Sequence, residues 1–281
     1  MAFALAGPKL RADGIAPGTR ADHVVLSGVP IFDGDLGAAV ATVLADVREG
    51  RGAREATANL DFFARARRDG RLRADLAASS LVVADGAPVA WAARFAGAAN
   101  VRRVTGVDLV AEVCRVGAPG GLRLAFYGST EPVARTAAGA IERAHPGVSV
   151  VRVVCPPFRA LSEAERAADV ESLAGARPDV VLVALGCPRQ ERFIAEHFGA
   201  IPSAAWIGVG GTLDFYAGKR KRAPGLAQRL GMEWVVRLAQ EPRRLWRRYL
   251  IDDPPAATRL IGAAVTARMG RAGHRPSDIK G

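Results

Sequence analysis

Residues 180–191, with the sequence Val-Val-Leu-Val-Ala-Leu-Gly-Cys-Pro-Arg-Gln-Glu, decide the fold. The stretch opens with an apolar run typical of a buried strand, and Gly186 and Pro188 end that run in a tight turn. The same order recurs at residues 204–214, where an apolar run passes into Gly208-Val209-Gly210-Gly211-Thr212-Leu213-Asp214. Apolar strands that end in polar, glycine-containing turns predict a ligand pocket at the carboxyl ends of parallel strands.

Strands and helices alternate over most of the chain. Apolar runs predict further strands, and spacings of three to four residues between apolar positions predict helices after them. A Ser-x-x-Glu capping box at Ser162 and Glu165 marks the start of one helix. The alternation predicts an α/β fold with a mostly parallel sheet and helices on both faces. The predicted strands cover residues 23–29, 55–60, 80–84, 122–127, 148–154, 180–184 and 204–209. Predicted helices include 36–48, 106–116, 162–174 and 188–197, and residues 61–78 are expected to form one or two helices.

Four segments are predicted along the chain. Residues 1–20 are a Gly- and Pro-rich leader expected to be flexible, and residues 21–221 form the α/β core. Residues 222–268 are expected to form a small basic helical appendage, in which Asp-Asp-Pro-Pro at 252–255 interrupts the helices. Residues 269–281 are expected to be a disordered tail.

The charge is concentrated in one place. The chain has 281 residues and a net charge of +11, and residues 219–248 hold ten Lys or Arg residues against two Glu. Such a patch attracts phosphate groups of nucleotides, lipids or nucleic acids. No run of 18 or more apolar residues is present, and the amino-terminal sequence is a poor match to a signal peptide. Any membrane contact is therefore expected to be peripheral.

Several residues at the predicted turns carry chemistry. Asp85 follows a buried strand, so burial is expected to raise its pKa toward that of a general base, although a turn-capping Asp has the same pattern. Gln190 can hydrogen-bond a nucleotide, and Glu191 either contributes to the site or only complements the helix dipole. Arg103 can form charge-assisted hydrogen bonds with an anionic ligand or remain a solvated loop charge.

No metal site is predicted. Asp33-Gly34-Asp35 matches the Asp-x-Asp motif of metal-dependent sugar transferases, but its place in a turn before a helix favours capping. The three cysteines form no Cys-x-x-Cys pair, and the four histidines lack ligand spacing.

The polar turns together resemble a known family, the WecG/TagA/CpsF glycosyltransferases of bacteria. The resemblance covers roughly residues 24–250 and depends on the order of many short motifs, each weak alone. These motifs are Thr57-x-Asn59, Ala84-Asp85-Gly86, Arg103-x-x-Gly106-x-Asp108-Leu109, Gly186-x-Pro188-x-Gln190-Glu191, Gly208-Val209-Gly210 with Asp214, Arg222-Ala223-Pro224, and Glu233-Trp234-x-x-Arg237-Leu238-x-x-Glu241-Pro242.

The resemblance implies a Rossmann-like core and an inverting, metal-independent transfer of a sugar, typically of the N-acetylmannosamine type, from a UDP-sugar. The implied acceptor is a polyprenyl-diphosphate-linked sugar at the inner face of the plasma membrane, used in cell-surface polysaccharide synthesis. The sugar nucleotide is a substrate, and no cofactor is implied. The protein is expected to be cytoplasmic and to bind an anionic membrane surface peripherally, and nucleic acid is not expected as a partner. The resemblance allows a homo-oligomer in solution, but the sequence does not fix the oligomeric state.

The resemblance also assigns roles to individual residues. Asp85 corresponds to the catalytic base and Arg103 to an arginine of the catalytic pocket, which Thr57 and Asn59 also line. The nucleotide is expected near Gln190 and Asp214. The remaining positions are Gly186, Glu191, Gly208 and Gly210 in the two glycine-containing turns, and Arg237, Arg244 and Arg247, which are expected to approach the membrane and the diphosphate.

Two alternatives stay open at the level of the sequence. One is a transferase that uses UDP-glucose or a UDP-uronic acid for exopolysaccharide. The other is a nucleic-acid-binding Rossmann-like module that uses the basic segment, although tryptophan and leucine interleave with its arginines and no recognised nucleic-acid motif is present. A nicotinamide dehydrogenase is disfavoured because no Gly-x-Gly-x-x-Gly follows the first strand.

Overall fold

The computed structural model describes residues 22–225, 227 and 231–272, except for the side chains of residues 244, 271 and 272. The predicted leader and most of the predicted tail lie outside this range. The described strands are β1 (His23–Leu26), β2 (Val29–Phe32), β3 (Ala53–Ala58), β4 (Leu81–Ala84), β5 (Arg123–Gly128), β6 (Ser149–Val154), β7 (Val180–Ala184) and β8 (Ala205–Gly208).

The described helices follow the strands in alternation. Those of the first two thirds of the chain are α1 (Leu36–Arg48), α2 (Leu60–Ala66), α3 (Gly70–Ala77), α4 (Ala87–Phe95), α5 (Gly106–Gly117), α6 (Glu131–Ala144), α7 (Glu163–Gly175), α8 (Arg189–His197) and α9 (Thr212–Tyr216). The later ones are α10 (Glu233–Gln240), α11 (Pro242–Arg247) and α12 (Asp253–Ala272), and a π-helical turn, Arg248–Asp252, joins the last two. The capping box is present, since the Ser162 hydroxyl accepts from the amide of Glu165 and the Glu165 carboxylate accepts from the amide of Ser162.

Six strands form one parallel sheet in the order β4-β3-β8-β7-β5-β6. Side chains of alternate residues enter different cores: Leu182 and Ile207 pack with α1, α5 and α6, whereas Val181, Val183 and Trp206 pack with α7 and α8. The sheet is therefore buried on both faces, and the α/β, Rossmann-like prediction is confirmed.

The first strands differ from the prediction. Residues 23–29 were expected as one strand before a turn at 30–35, but His23–Leu26 and Val29–Phe32 pair as a separate antiparallel hairpin. Ser27 and Gly28 form its turn with φ values of +51° and +82°. Positive φ at both central positions matches the right-handed twist of the two strands.

The carboxyl-terminal part also differs from the prediction. Helix α12 begins at Asp253 and continues through Pro254 and Pro255, so the expected break at 252–255 is wrong. Pro254 and Pro255 closely follow the π-helical turn, where the amide of Asp253 donates to the carbonyl of Arg248 and the regular α-helical hydrogen bonding is already altered. The helix reaches Ala272, four residues into the predicted tail, and its Leu260 and Ala264 are buried against the core.

Candidate active site

The carboxyl ends of the parallel strands surround a cavity of about 490 Å³. Turns after β3, β4, β5, β7 and β8 contribute to its wall, as expected for an open α/β sheet. Residues that the sequence analysis assigned to the site meet here from distant parts of the chain. The predicted site residues that line this cavity are Thr57, Asn59, Asp85, Gly186, Gln190, Gly210, Asp214 and Arg237.

A second cavity of about 290 Å³ adjoins the first beneath the carboxyl-terminal helices. Trp234 and Tyr249 contribute aromatic rings to it, with centroids 5.9 Å apart in an edge-on arrangement. The two cavities share lining residues, so they are neighbouring compartments of one site. The shared residues are Asn59, Asp85, Glu233, Arg237 and Arg248.

Asp85 stands at this shared wall, at the end of β4. Its amide donates to the carbonyl of Ala58 at 2.9 Å, which continues the pairing of β3 with β4 one residue beyond the end of β4. Burial raises the pKa of its carboxyl group to about 6, while the charges of Arg237, Arg103 and Arg248 oppose that rise. No described residue hydrogen-bonds the carboxylate, so it is free to accept a proton from a ligand.

Of the three guanidinium groups around Asp85, those of Arg103 and Arg248 lie close to carboxylates of the described residues and that of Arg237 does not. Arg103 forms an ion pair with Glu233 of α10, which links the core to the carboxyl-terminal helices. Arg237 also lines both cavities and has no carboxylate within 4.0 Å among the described residues. Arg237 is therefore the cation at this wall that is most available to an anionic ligand.

Asn59 and Thr57 are already engaged within the protein. The side-chain oxygen of Asn59 caps α2 by accepting from the amide of Asp61 at 3.1 Å, and it accepts from Arg248 at 2.9 Å. The Thr57 hydroxyl donates to the carbonyl of Gly208 at 3.1 Å and ties β3 to β8. Both residues line the cavity as predicted. Their side chains are engaged in these hydrogen bonds, so they shape the cavity wall.

Gln190 joins the two glycine-containing turns. Its amide oxygen accepts from the amide of Gly186 at 3.1 Å and of Gly210 at 2.9 Å, and its nitrogen donates to Glu191 at 2.6 Å. A Cβ on Gly208 would lie 2.8 Å from that nitrogen, so glycine is needed there for the side chain to fit. Gln190 therefore positions the turns, and its amide has little capacity left to recognise a nucleotide.

Glu191 lies behind this amide, buried and away from the cavity. Burial raises the pKa of its carboxyl group to about 7, and hydrogen bonding from Gln190 opposes the rise. One of its carboxylate oxygens has no partner among the described residues. Glu191 thus supports the turn from below, and of the two roles that the sequence allows for it, a direct role at the site is not favoured by this position.

Asp214 faces the larger cavity from α9. It pairs with Arg220 at 3.2 Å, and Arg220 also pairs with Glu241 at 2.9 Å. Lys219 and Lys221 line the same side of the cavity. This end of the cavity therefore combines a carboxylate with several cations, a composition that suits hydrogen-bonded hydroxyl groups and phosphates.

The three arginines assigned to the membrane and diphosphate have different positions. Arg237 reaches both cavities, Arg247 is exposed and lines neither, and the side chain of Arg244 lies outside the described part of the structure. Arg248 was not among the predicted site residues, yet it lies 3.8 Å from Asp61 and 3.9 Å from Asp253 besides contacting Asn59. Its partners are up to 189 residues away in the sequence, so no local pattern indicates them.

The Asp33-Gly34-Asp35 motif is used for local structure. Asp35 caps α1 by accepting from the amide of Ala38 at 3.0 Å, and Asp33 accepts from the amide of Asn100 at 2.7 Å. In the described ranges, no group of three or more His, Cys, Asp or Glu side chains is arranged to hold a metal ion.

Comparison with known proteins identifies relatives of this architecture. Residues 24–270 match the model of the glycosyl transferase WecG/TagA/CpsF family. An N-acetylglucosaminyldiphosphoundecaprenol N-acetyl-β-D-mannosaminyltransferase of Bacillus spizizenii is 31% identical over 202 residues, which cover 72% of this chain and 76% of the relative.

Two further relatives carry the same name. The Bacillus subtilis protein is 31% identical over 62% of this chain, and the Staphylococcus aureus protein is 28% identical over 60%. The matches span 66% and 65% of those relatives, just under two thirds of their length. Since the family model covers nearly the whole described chain, this protein belongs to the WecG/TagA/CpsF family of glycosyl transferases.

Proposed function

We propose that the protein transfers a sugar, of the N-acetylmannosamine type, from a UDP-sugar to a polyprenyl-diphosphate-linked N-acetylglucosamine. The position of Asp85 between two adjoining cavities carries the proposal, because transfer requires donor and acceptor to meet at a base. The names of three relatives, each an N-acetylmannosaminyltransferase acting on an undecaprenol-diphosphate-linked sugar, support the substrate class.

The larger cavity suits the sugar nucleotide. Ser129 and Thr130 lie on its wall at the amino terminus of α6, a 14-residue helix whose free amides and dipole favour phosphate. Lys219 and Lys221 add positive charge. The glycine-containing turns at Gly186 and Gly210, which Gln190 holds, form another part of the wall. In this proposal Asp214 contacts the donor and the turns bring backbone amides close to it.

The smaller cavity suits the acceptor. It lies beneath α10 and α12 and combines the rings of Trp234 and Tyr249 with the cation Arg237. A sugar hydroxyl entering from this side reaches Asp85 across the shared wall.

In the transfer step, Asp85 takes the proton of the acceptor hydroxyl as the hydroxyl oxygen bonds to the anomeric carbon of the donor sugar. The bond from that carbon to the diphosphate breaks, and UDP departs with its charge offset by nearby cations. Attack from the face opposite UDP inverts the anomeric configuration, and the sugar nucleotide is a substrate, with no cofactor required.

The lipid portion of the acceptor places the protein at a membrane surface. None of the described helices combines the length and apolar character needed to cross a bilayer. Trp246 and Leu250 are 49% and 59% exposed, and Arg243 and Arg247 are exposed beside them. We infer peripheral binding to the inner face of the plasma membrane through this surface, because interfacial aromatic residues and arginines favour anionic lipid.

The proposal is tested by measuring UDP release with a polyprenyl-diphosphate-GlcNAc analogue in detergent or lipid. UDP-N-acetylmannosamine is expected to be the best donor in a panel that includes UDP-glucose and UDP-glucuronic acid. If UDP-glucose or UDP-glucuronic acid is the better donor, the protein would instead be assigned to exopolysaccharide synthesis. No turnover with any donor in the panel would refute it.

Asp85→Asn tests the assignment of the base. The variant keeps the size of the side chain but cannot accept the proton, so turnover is expected to fall about 10²–10⁴-fold. Donor binding and the unfolding midpoint are expected to stay near those of the unmodified protein, as monitored by calorimetry and circular dichroism. Full activity of the variant would mean that another group acts as the base.

A further inference from the structure

A third cavity, of about 410 Å³, lies on the opposite side of α2 from the active site. The turn between β1 and β2, helix α2, the π-helical turn and the first part of α12 enclose it. Its floor is apolar, with Phe63, Ala66, Ala256 and Leu260 all buried. Its polar rim contains four arginines, namely Arg67, Arg68, Arg73 and Arg259.

The positive charge of this rim is largely uncompensated. Of the residues that the structure describes, Asp252 is the one acidic residue that lines the cavity, and it lies 3.9 Å from Arg68. Within the described residues, Arg67, Arg73 and Arg259 have no carboxylate within 4.0 Å. Four guanidinium groups around one apolar depression repel one another, and an anion placed among them relieves that repulsion.

The surroundings indicate where such an anion comes from. Ile251, at the rim, is 50% exposed, and nearby Leu250 is 59% exposed. On the outer face of α12, Ile261 is 62% exposed, followed by Val265 and Met269 one and two turns later. An apolar floor, a cationic rim and exposed apolar neighbours match an amphiphile whose charged head lies next to hydrocarbon.

We propose that this cavity binds the headgroup of an anionic phospholipid, with the arginines on its phosphate and the first acyl carbons over Phe63 and Leu260. The site is separate from the surface of α11 assigned above to membrane contact. It rests on the proposed function only in that both place the protein at a membrane. Lipid binding there does not require turnover, so the two proposals fail independently.

Helix α2 connects this cavity to the active site. Asp61, Phe62 and Arg65 face the catalytic cavity, whereas Phe63, Ala66 and Arg67 face the lipid cavity. The π-helical turn is shared in the same way, since Arg248 contacts Asn59 and Asp252 lines the lipid cavity. A bound headgroup therefore packs on the same two elements that hold Asn59 and Arg248 in place.

The test compares the unmodified chain with the double variant Arg67→Ala/Arg73→Ala in binding to dihexanoyl-phosphatidylglycerol, with hydrogen exchange as a second readout. Both arginines are exposed, so folding is expected to be retained and is checked by thermal unfolding. Loss of two cations is expected to weaken binding about 30-fold. Lipid is expected to slow exchange in α2 and in residues 251–260 of the unmodified chain only.

The matched control removes the same charge elsewhere. Arg143 and Arg152 are exposed on α6 and on β6, the strand at the opposite edge of the sheet from β4. Arg143→Ala/Arg152→Ala is expected to bind the lipid within about twofold of the unmodified chain. Equal weakening of lipid binding in both double variants would mean that only net charge controls binding. That result would overturn the proposed lipid site. Equal protection by inorganic phosphate, or by dihexanoyl-phosphatidylcholine, would overturn the assignment to an anionic phospholipid.

Discussion

Asp85 occupies a position where the effect of burial on its protonation outweighs the opposing charges of nearby arginines. Burial at the end of β4 favours the neutral acid, and three arginines, with Arg237 the strongest, favour the carboxylate. The outcome is a pKa of about 6, which leaves most molecules with an ionised base near neutral pH. A carboxyl group with this pKa accepts a proton more readily than an ordinary aspartate.

This balance predicts the pH dependence of the reaction. In the proposed mechanism Asp85 acts as a carboxylate, so kcat/KM is expected to rise with pH up to about 6 and to level above it. Arg237→Gln removes the cation that lowers the pKa of Asp85 most, and the rising limb should then move to higher pH. The measurement is kcat/KM with saturating acceptor over about pH 5 to 8. An unchanged limb in the variant would show that another group controls it.

Gln190 illustrates a residue whose role the sequence indicated only in part. The motif placed it correctly in the first turn of α8, but its side chain is occupied by Gly186, Gly210 and Glu191. That arrangement could not be inferred from residues 186–191 alone, because Gly210 comes from a turn that lies twenty residues further along.

Gln190→Ala is therefore expected to lower the free energy of unfolding by about 2–4 kcal/mol, since it leaves two amides and Glu191 without their partner. Arg189→Ala provides the control, as Arg189 is the exposed neighbour on the same helix, and it should cost less than about 0.5 kcal/mol. Urea unfolding measures both. If Gln190→Ala has normal stability but a raised KM for the donor, the result would support the direct contact with the nucleotide that the sequence suggested.

At the scale of elements, α12 belongs to the core as much as to the appendage. Leu260 is 2% exposed and packs in the same cluster as α2 and α4, whereas the next residue, Ile261, is 62% exposed. The sequence predicted a helix here but attached it to a separate small unit, because periodicity shows that a face is apolar without showing what covers it.

The two neighbours allow a direct test of this packing. Leu260→Asp is expected to destabilise the protein by about 3–5 kcal/mol, because it removes buried apolar contacts and places a carboxylate in their position. Ile261→Asp introduces the same group on the outer face and is expected to change stability by about 0.5 kcal/mol or less. Thermal unfolding of the two variants gives the comparison, and equal melting temperatures would argue against α12 packing on the core.

The parallel strands were predictable and the hairpin was not. Runs such as Val180–Ala184 are fully apolar, as strands covered on both faces must be, and each ends in a polar turn. The hairpin depends on Ser27 and Gly28, a pair that is a weaker turn signal than Asn-Gly, and Pro30 inside β2 argues against a strand in sequence terms.

At the scale of the whole molecule, the core side of the site could be predicted, but from the carboxyl-terminal side only Arg237 was placed at the site correctly. The turns after β3, β4, β7 and β8 all contain motif residues, and parallel strands necessarily bring those turns to one edge. The other half of the site comes from α10 and the π-helical turn. Its contacts, Arg103 with Glu233 and Asn59 with Arg248, span 130 and 189 residues, and no spacing rule connects positions so far apart.

Fewer cations of the basic segment, residues 219–248, are available to an external anion than its composition suggested. Arg220, Arg222 and Arg248 are paired with carboxylates of the core, so these arginines attach the segment to the protein. Exposed cations such as Arg243 and Arg247 remain for an external anion.

Binding to anionic vesicles is accordingly expected to be moderate and sensitive to salt. Co-sedimentation with phosphatidylglycerol vesicles should fall steeply between about 0.1 and 0.5 M NaCl, because exposed charges are screened over roughly 4–10 Å in this range. Arg243→Ala/Arg247→Ala should weaken binding by about 2 kcal/mol, whereas removal of Arg135, an exposed arginine on α6, should have little effect. Binding that resists 0.5 M NaCl would indicate apolar insertion as the main contribution.

The wall shared by the two catalytic compartments has a consequence for inhibitor design. Because Asn59, Asp85 and Arg237 border both spaces, a single molecule can occupy them together if a short linker passes Asp85. Joining a uridine fragment to an amphiphilic fragment converts the second contact into an intramolecular one, and affinity then gains from effective concentration. A basic linker atom facing Asp85 would add a charge-assisted hydrogen bond that neither fragment makes alone.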